Sequence, residues 1–70
     1  MKRNSLLRTF GRAIRNRRNE LGVTQMKLAE LIGCSLQHIG NVERGETNTS
    51  LLMVYRIANT LKTCAKDLLP

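Results

Sequence analysis

The chain has 70 residues, a length that predicts one small domain spanning residues 1–70, because so short a chain buries only a modest core. Twelve Lys and Arg residues against five acidic ones give a formal net charge of +7, which favours a polyanionic partner such as DNA, RNA or an anionic membrane. No apolar run approaches the roughly 18 residues of a membrane span, and Cys34, Cys64 and the single histidine lack zinc-site spacing. We therefore predict no membrane partner, metal or cofactor, and unpaired cysteines fit a cytoplasmic protein.

The first predicted helix runs from about Leu6 to Glu20. Residues 1–4 are polar and basic and are interpreted as a flexible arm, and Ser5 is a candidate helix cap. Apolar side chains then recur at intervals of three and four, the helical period. They are Leu7, Phe10, Ala13, Ile14 and Leu21. Gly22 ends this helix.

Basic residues are concentrated in the same part of the chain. Those that precede residue 19 are Lys2, Arg3, Arg8, Arg12, Arg15, Arg17 and Arg18. Each one alone is compatible with a solvated helix face, but together they create a positive field. For Arg8, Arg12 and Arg15 we predict a diffuse electrostatic contribution rather than individual contacts.

The stretch from Thr24 to Gly45 contains two short helices joined by a tight turn. Thr24 and Ser35 are placed to cap these helices, and Gly33 and Gly45 to end them. Apolar side chains follow helical spacing that is interrupted once, at Gly33. They are Leu28, Ala29, Ile32, Ile39 and Val42. Because only about two residues of turn separate the helices, the helices must cross steeply, as in a helix-turn-helix.

The outer face of the second of these helices is predicted to be mainly polar. With the apolar residues turned into the bend, the positions left on or beside this face are Ser35, Leu36, Gln37, His38, Gly40, Asn41 and Arg44. Short polar side chains can meet base edges in the major groove of DNA. Gly40 costs about 1 kcal/mol of helix stability relative to alanine, and close approach to DNA or to a neighbouring helix would explain it.

A fourth and a fifth helix follow a polar loop that begins at Glu46. Ser50 is a candidate cap for the fourth helix. The core stripe predicted for that helix consists of Leu51, Val54, Ile57, Ala58 and Leu61. The short last helix, Ala65 to Leu69, places Leu68 in the core.

A second apolar stripe, which the core does not need, contains Leu52 and Tyr55, and Leu69 can join it. Surplus apolar surface on a small soluble protein often marks an interface. We therefore predict a dimer interface at Leu52, Tyr55 and Leu69. The alternative is that these residues belong to the single hydrophobic core.

The run from Leu21 to Ser35, together with the residues that follow it, resembles the phage repressor and Cro-like (XRE) helix-turn-helix family. Residues at the family's spacing are Gln25, Leu28, Ala29, Gly33, Ser35, Ile39, Glu43 and Gly45. The resemblance covers about Leu7 to Leu69 and implies an all-α, compact five-helix, lambda-repressor-like DNA-binding domain. One departure is Thr49, which occupies a place where the family usually has proline, so entry to the fourth helix is less rigid.

The resemblance implies DNA base contacts at four positions of the recognition helix, which are Ser35, Leu36, Gln37 and Asn41. Gln37 and Asn41 can each pair bidentately with adenine, whereas Leu36 can only pack on a thymine methyl group. Many relatives carry a polar residue at the place of Leu36, so an exposed leucine without a role in recognition is the alternative there.

Contacts to DNA phosphates are predicted at both ends of the helix-turn-helix. Gln25 lies in a first helical turn, where free N–H groups and the helix dipole favour an anion, and the resemblance assigns it backbone anchoring. His38, Arg44, Thr47 and Asn48 are further candidates. Solvent exposure is the alternative for His38, and an ordinary polar loop is the alternative for Thr47 and Asn48.

The resemblance also implies a structural ion pair between Arg18 and Glu43, which would tie the first helix to the end of the recognition helix. If this pair is partly buried, removing one partner destabilises the protein by more than the pair itself contributes, because a charge is left unpaired.

These observations predict a transcriptional regulator that binds double-stranded DNA sequence-specifically, as a homodimer on an operator, since one module reads only a few base pairs. The alternative is a protein-interaction module, such as an antitoxin or an adaptor, with an acidic protein partner. Gln25, Gln37 and Asn41 favour DNA, which an adaptor would not need to contact. A membrane-active peptide is a weaker rival, because this turn-rich chain should fold alone. Nothing in the sequence indicates an enzyme.

Overall fold

The computed structural model describes residues 3–70, with side chains from Ser5 onward. Within this range the chain forms five helices: α1 (Arg3–Glu20), α2 (Gln25–Ile32), α3 (Leu36–Arg44), α4 (Leu51–Thr60) and α5 (Ala65–Leu68). α1 packs against α3 and α5, α2 packs against α3 and α4, and α4 contacts α5. The predicted all-α, five-helix fold is confirmed.

Three helices begin at the predicted cap residues. The hydroxyl oxygen of Thr24 accepts a hydrogen bond from the Lys27 N–H at 3.0 Å. Ser35 and Ser50 accept in the same way from His38 and Met53, at 3.0 and 3.1 Å. Each bond satisfies a backbone N–H that has no partner inside its own helix.

The start of α1 differs from the prediction. The helix begins at Arg3 rather than near Leu6, so Ser5 lies inside it and is not its cap. No glycine or proline precedes Leu6 to stop the helix from extending. Residues 1 and 2 of the predicted basic arm lie outside the described residues.

One hydrophobic core forms where the helices meet. Its buried members are Phe10, Ile14, Leu28, Ala29, Ile32, Ile39, Val42, Val54, Ile57, Ala58, Leu61 and Leu68. Two predicted members lie at its margin instead. Leu51 is 68% exposed, because the first turn of α4 extends beyond the core, which begins at Val54. Leu21 is 38% exposed, because it follows the last residue of α1.

Two glycines bring the end of α3 against α1. A Cβ at Gly11 would collide with the carbonyl oxygens of Val42 and Glu43, the second at 2.5 Å. Gly45 ends α3 with φ 73°, and a Cβ there would lie 2.7 Å from the backbone nitrogen of Arg8. Backbone atoms cannot yield without moving a helix, so this contact fixes the rotation of α3 and the direction of its outer face.

The end of α4 is tied to α1 by a basic side chain. Arg17 donates from Nε to the carbonyl oxygen of Leu61 at 2.9 Å and from Nη2 to that of Lys62 at 3.1 Å. Carbonyls at a helix C-terminus lack partners within the helix and carry partial negative charge, so a guanidinium satisfies both needs. Arg17 therefore has a structural role in addition to its contribution to the positive field.

Candidate nucleic-acid interface

The helix-turn-helix is formed by α2, the turn at residues 33–35 and α3. Gly33 ends α2 in the left-handed region, with φ 85°, and its N–H donates to the carbonyl of Ala29. Cys34 follows in the turn, where partial burial raises the pKa of its thiol. Because Ser35 immediately caps the next helix, the turn holds α3 in one orientation relative to α2.

The first turn of α3 presents its predicted reading residues to solvent. Ser35 and Gln37 are exposed, and Leu36 is 45% exposed. The Ser35 oxygen accepts the capping hydrogen bond from His38 N–H, which leaves its hydroxyl proton and one lone pair for an outside group. His38 is half-buried beside this surface.

The last turn of α3 carries a polar cluster of Asn41, Arg44 and Glu46, called here the Arg44 cluster. Arg44 donates from Nε to Oε1 of Glu46 at 2.7 Å and from Nη2 to Oδ1 of Asn41 at 2.6 Å. Gly40, predicted on the outer face, is buried. The guanidinium of Arg44 lies over Gly40, since a Cβ built on this glycine would be 3.0 Å from Arg44 Nη1.

The opposite side of α3 carries a buried acidic residue. The Glu43 side chain is 0% exposed, and its Oε2 lies 2.7 Å from Nε of Arg18, whose side chain is 11% exposed. Arg15 Nε and Gln25 Nε2 both donate to Glu43 Oε1, at 3.3 and 3.0 Å. Burial alone would raise the pKa of Glu43, but the hydrogen bonds from Arg18, Gln25 and Arg15 outweigh burial and lower it.

These partners extend the predicted ion pair into a network around the buried Glu43 carboxylate, called here the Glu43 network, in which the Arg15 side chain is 48% exposed. It joins α1, α2 and α3, since Arg15 and Arg18 belong to α1 and Gln25 to α2. Sequence reasoning missed Arg15 and Gln25 as members. A signal for Arg15 existed, because residues three apart share one helical face and Arg15 stands three before Arg18.

Gln25, a predicted phosphate contact, has its side-chain N–H directed to Glu43. The start of α2, where Gln25 lies, keeps the features that attract an anion, because Thr24 caps the N–H of Lys27 and not that of the first residue. The structure thus places Gln25 at the predicted helix end, with a side chain that also supports the fold.

Thr47 and Asn48, two further predicted phosphate contacts, lie in the loop after α3. Thr47 is half-buried and donates its hydroxyl proton to the carbonyl of Asn48 at 3.3 Å. Asn48 is exposed. The loop follows Glu46 of the Arg44 cluster directly, so both residues are close in sequence to the end of the recognition helix.

The predicted interface residues are exposed, Leu52 by 62%, Tyr55 by 58% and Leu69 by 46%. The core therefore leaves each of them accessible.

Leu69 also lines an apolar groove of about 270 Å³ that α1 and α4 border. Its other lining residues are Leu6, Leu7, Phe10, Asn48, Thr49, Val54 and Pro70. Beside this groove, Thr49 Oγ1 is buried and has no hydrogen-bond partner among the described residues.

Comparison with known proteins identifies the family. The model of the helix-turn-helix family matches residues 14–69. An HTH-type transcriptional regulator of Methanothermobacter thermautotrophicus is 46% identical over 48 residues, which cover 69% of this chain and 70% of that protein. The chain belongs to the helix-turn-helix family of phage repressor and Cro-like transcriptional regulators, as the resemblance predicted.

Solved structures share the fold. The restriction-modification controller protein C.AhdI from Aeromonas hydrophila has a TM-score of 0.86 and 35% identity, over 90% of this chain and 96% of that one. The hydroxypropylphosphonic acid epoxidase from S. wedmorenis has a TM-score of 0.89 and 26% identity, over 96% of this chain but 36% of the epoxidase. The same arrangement of helices thus also occurs as a minor part of an enzyme.

None of the helices described within residues 3–70 is long and apolar enough to cross a membrane.

Proposed function

We propose that the protein is a sequence-specific regulator of transcription that binds double-stranded DNA as a homodimer on an operator. The observation that carries this proposal is the division of α3 into two faces. Its inner side is fixed by the core and by the Glu43 network, whereas Leu36 and Gln37 on its outer side are exposed and available to a ligand. A rigid helix with a free polar face suits insertion into a major groove.

The proposed base contacts come from the exposed face of α3. Gln37 can donate to N7 and accept from N6 of adenine, and Leu36 can pack on a thymine methyl group. Ser35 can donate its hydroxyl proton to a base or phosphate oxygen while its own oxygen accepts the capping bond. Asn41 completes the reading surface toward the end of the helix.

The proposed phosphate contacts flank this surface. At the start of α2, the backbone N–H groups and the helix dipole attract a phosphate, and Gln25 supports that end through Glu43. His38, Arg44, Thr47 and Asn48 are proposed to contact phosphates around α3. The net charge of +7 strengthens association with DNA at low salt, whatever the base sequence.

Dimerisation is proposed through Leu52, Tyr55 and Leu69. The longest dimension of the molecule is 31 Å, so two copies side by side can place their recognition helices about one helical turn of DNA, or about 34 Å, apart. Exposed apolar residues on α4 and beside α5 provide a surface for such an arrangement.

The dimer is tested by introducing a charge into the exposed stripe. Sedimentation equilibrium is expected to give a dimer for the unmodified protein and a monomer for Tyr55→Glu, because a carboxylate would be desolvated in the interface. Lys27→Glu, a larger charge change at an exposed position of α2, is the control and is expected to remain dimeric. If Tyr55→Glu stays dimeric, the exposed stripe is assigned to a protein partner, as an antitoxin or adaptor would require.

DNA recognition is tested by selection from random duplex DNA. The expected winner is a symmetric or near-symmetric site with half-sites about one helical turn apart. Equal binding of all sequences with a steep salt dependence would instead mean that the basic surface acts as a simple polycation. The proposed role is binding to DNA in the cytoplasm, without catalysis. A protein bound over a promoter blocks polymerase, whereas a protein bound beside a promoter can recruit polymerase.

A further inference from the structure

The Arg44 cluster constrains one of the proposed reading residues. Asn41 Oδ1 accepts from the charged Nη2 of Arg44 at 2.6 Å, and Glu46 holds the same guanidinium through Nε at 2.7 Å. An asparagine side chain has an oxygen that can accept two hydrogen bonds and a nitrogen that donates two protons. Arg44 takes one of the two acceptor positions and turns the oxygen toward itself, so the amide nitrogen is the group of Asn41 that keeps its full capacity for a base.

Gly40 makes this arrangement possible. Helical side chains lean toward the helix N-terminus, so the side chain of Arg44 runs back over the preceding turn, where Gly40 and Asn41 lie. A Cβ at Gly40 would lie 3.0 Å from Nη1 and 3.6 Å from Nη2 of Arg44. The guanidinium therefore occupies space that any other residue at this position would crowd, which accounts for a glycine in the middle of a helix.

The chemistry of the cluster determines which base it can read. Bidentate pairing with adenine requires Asn41 to accept from the adenine N6 amino group while it donates to N7. Its oxygen is turned toward a cation and keeps one lone pair, whereas the N–H groups of Asn41 and of the guanidinium are all donors. Guanine presents two acceptors in the major groove, N7 and O6, and no donor. The excess of donors in the cluster therefore favours guanine over adenine.

We propose that Asn41 and Arg44 form one reading unit in which donors outnumber acceptors, positioned by Gly40 and Glu46, that selects guanine at its place in the operator. This inference rests on the proposed function and replaces the sequence-based expectation that Asn41 pairs with adenine. The guanidinium of Arg44 is thereby assigned to a base edge instead of to the phosphate contact proposed above, and it determines specificity. Gly40 and Glu46 are positioning residues that need not touch the DNA.

The test compares base preferences obtained by selection from random duplex DNA. The position read by the unit is the one whose preference is lost with Asn41→Ala, and the unmodified protein is expected to prefer guanine there. Arg44→Ala frees the Asn41 oxygen, so the ratio of guanine to adenine at this position is expected to fall about tenfold. Overall affinity also decreases with Arg44→Ala, but a ratio measured at one position is independent of that loss.

Gly40→Ala is the sharper variant, because it displaces the guanidinium without removing any charge or polar group. Alanine is the better helix former, and the atoms nearest to the added Cβ are the far end of a flexible side chain, so the variant folds. The expected loss of guanine preference is similar to that of Arg44→Ala. Lys27→Ala, which removes one positive charge on α2, is the control that keeps the preference for guanine.

Two results would overturn the inference and leave the proposed function intact. One is a preference for adenine at the Asn41 position in the unmodified protein. The other is a guanine-to-adenine ratio that stays the same in Gly40→Ala and Arg44→Ala, with folding of each variant verified by circular dichroism. If the unmodified protein enriches no sequence at all, the proposed function itself fails, and the inference with it.

Discussion

Glu43 and Arg44 are neighbours in α3, yet their charged groups have opposite surroundings. The Glu43 side chain is 0% exposed and the Arg44 side chain is 48% exposed, although each takes part in an ion pair of 2.7 Å. Breaking the buried pair leaves a charge without water, whereas water replaces the partner in the exposed pair. The same kind of contact therefore stabilises the fold on one side of α3 and shapes a binding surface on the other.

The largest expected effect separates these two roles directly. Glu43→Ala should lower the free energy of unfolding by about 3–5 kcal/mol, because Arg18 is left buried without its carboxylate. Glu46→Ala, the matched loss of an acid from the Arg44 cluster, should change it by about 0.5 kcal/mol or less. Urea denaturation measures both. Equal losses of unfolding free energy in the two variants would contradict the claim that the buried ion pair stabilises the fold more than the exposed one does.

Acid should weaken the Glu43 network and leave the Arg44 cluster less affected. The pKa of Glu43 is lower than its ordinary value of 4.5, so the folded state binds this proton more weakly than the unfolded state does. The stabilisation is complete above pH 4.5 and is lost as the pH falls through the folded-state pKa. Between pH 5 and about pH 2, the unfolding free energy of the unmodified protein should fall more steeply than that of Glu43→Gln, which cannot titrate there. Parallel pH profiles would exclude the Glu43 network as the source.

Gly11 in α1 and Gly40 in α3 offer a second comparison. Gly11→Ala should destabilise the protein by about 2 kcal/mol, because the added methyl meets backbone carbonyls of α3. Gly40→Ala should stabilise it by about 1 kcal/mol, since the methyl meets only the movable end of Arg44 and alanine favours the helix. Thermal and urea denaturation would record these opposite signs. Destabilisation by both variants would mean that the Arg44 side chain yields as little as the backbone contact between α1 and α3 at Gly11.

Gln25 belongs to the Glu43 network and to the proposed phosphate site at the start of α2, and its replacement should have a modest effect on both. Gln25→Ala removes one hydrogen bond from Glu43, and a loss of about 1 kcal/mol in unfolding free energy is expected. DNA affinity should decrease only modestly, because the backbone N–H groups at the start of α2 remain. A large loss of affinity with unchanged stability would show instead that the Gln25 side chain itself contacts phosphate.

The fold could be predicted from the sequence because its determinants are local. The caps at Thr24, Ser35 and Ser50 each bond within their own first turn, and the spacing of apolar residues fixes which side of each helix is buried. The errors occurred where tertiary position decides. Leu51 fits the periodicity of α4 but lies beyond the end of the core, which periodicity alone cannot reveal.

The sequence predicted the positions of the candidate site residues better than it predicted their hydrogen-bond partners. Helical geometry was sufficient to place Leu36 and Gln37 on an exposed face. It could not reveal that Gln25 donates to Glu43, because those residues are 18 apart in the chain and meet only through the packing of α2 on α3. It does put Asn41 and Arg44, three residues apart, on one face of α3, but it could not reveal that Glu46, beyond the helix, also binds the guanidinium.

The most direct test of sequence-specific recognition by the outer face of α3 is the ratio of affinities for the selected site and a scrambled duplex, at one salt concentration. The unmodified protein is expected to prefer its site by about 1,000-fold or more. Replacing Gln37 and Asn41 together by alanine should reduce this ratio by about 100-fold and leave binding to the scrambled duplex nearly unchanged. An unchanged ratio would contradict the assignment of DNA reading to α3.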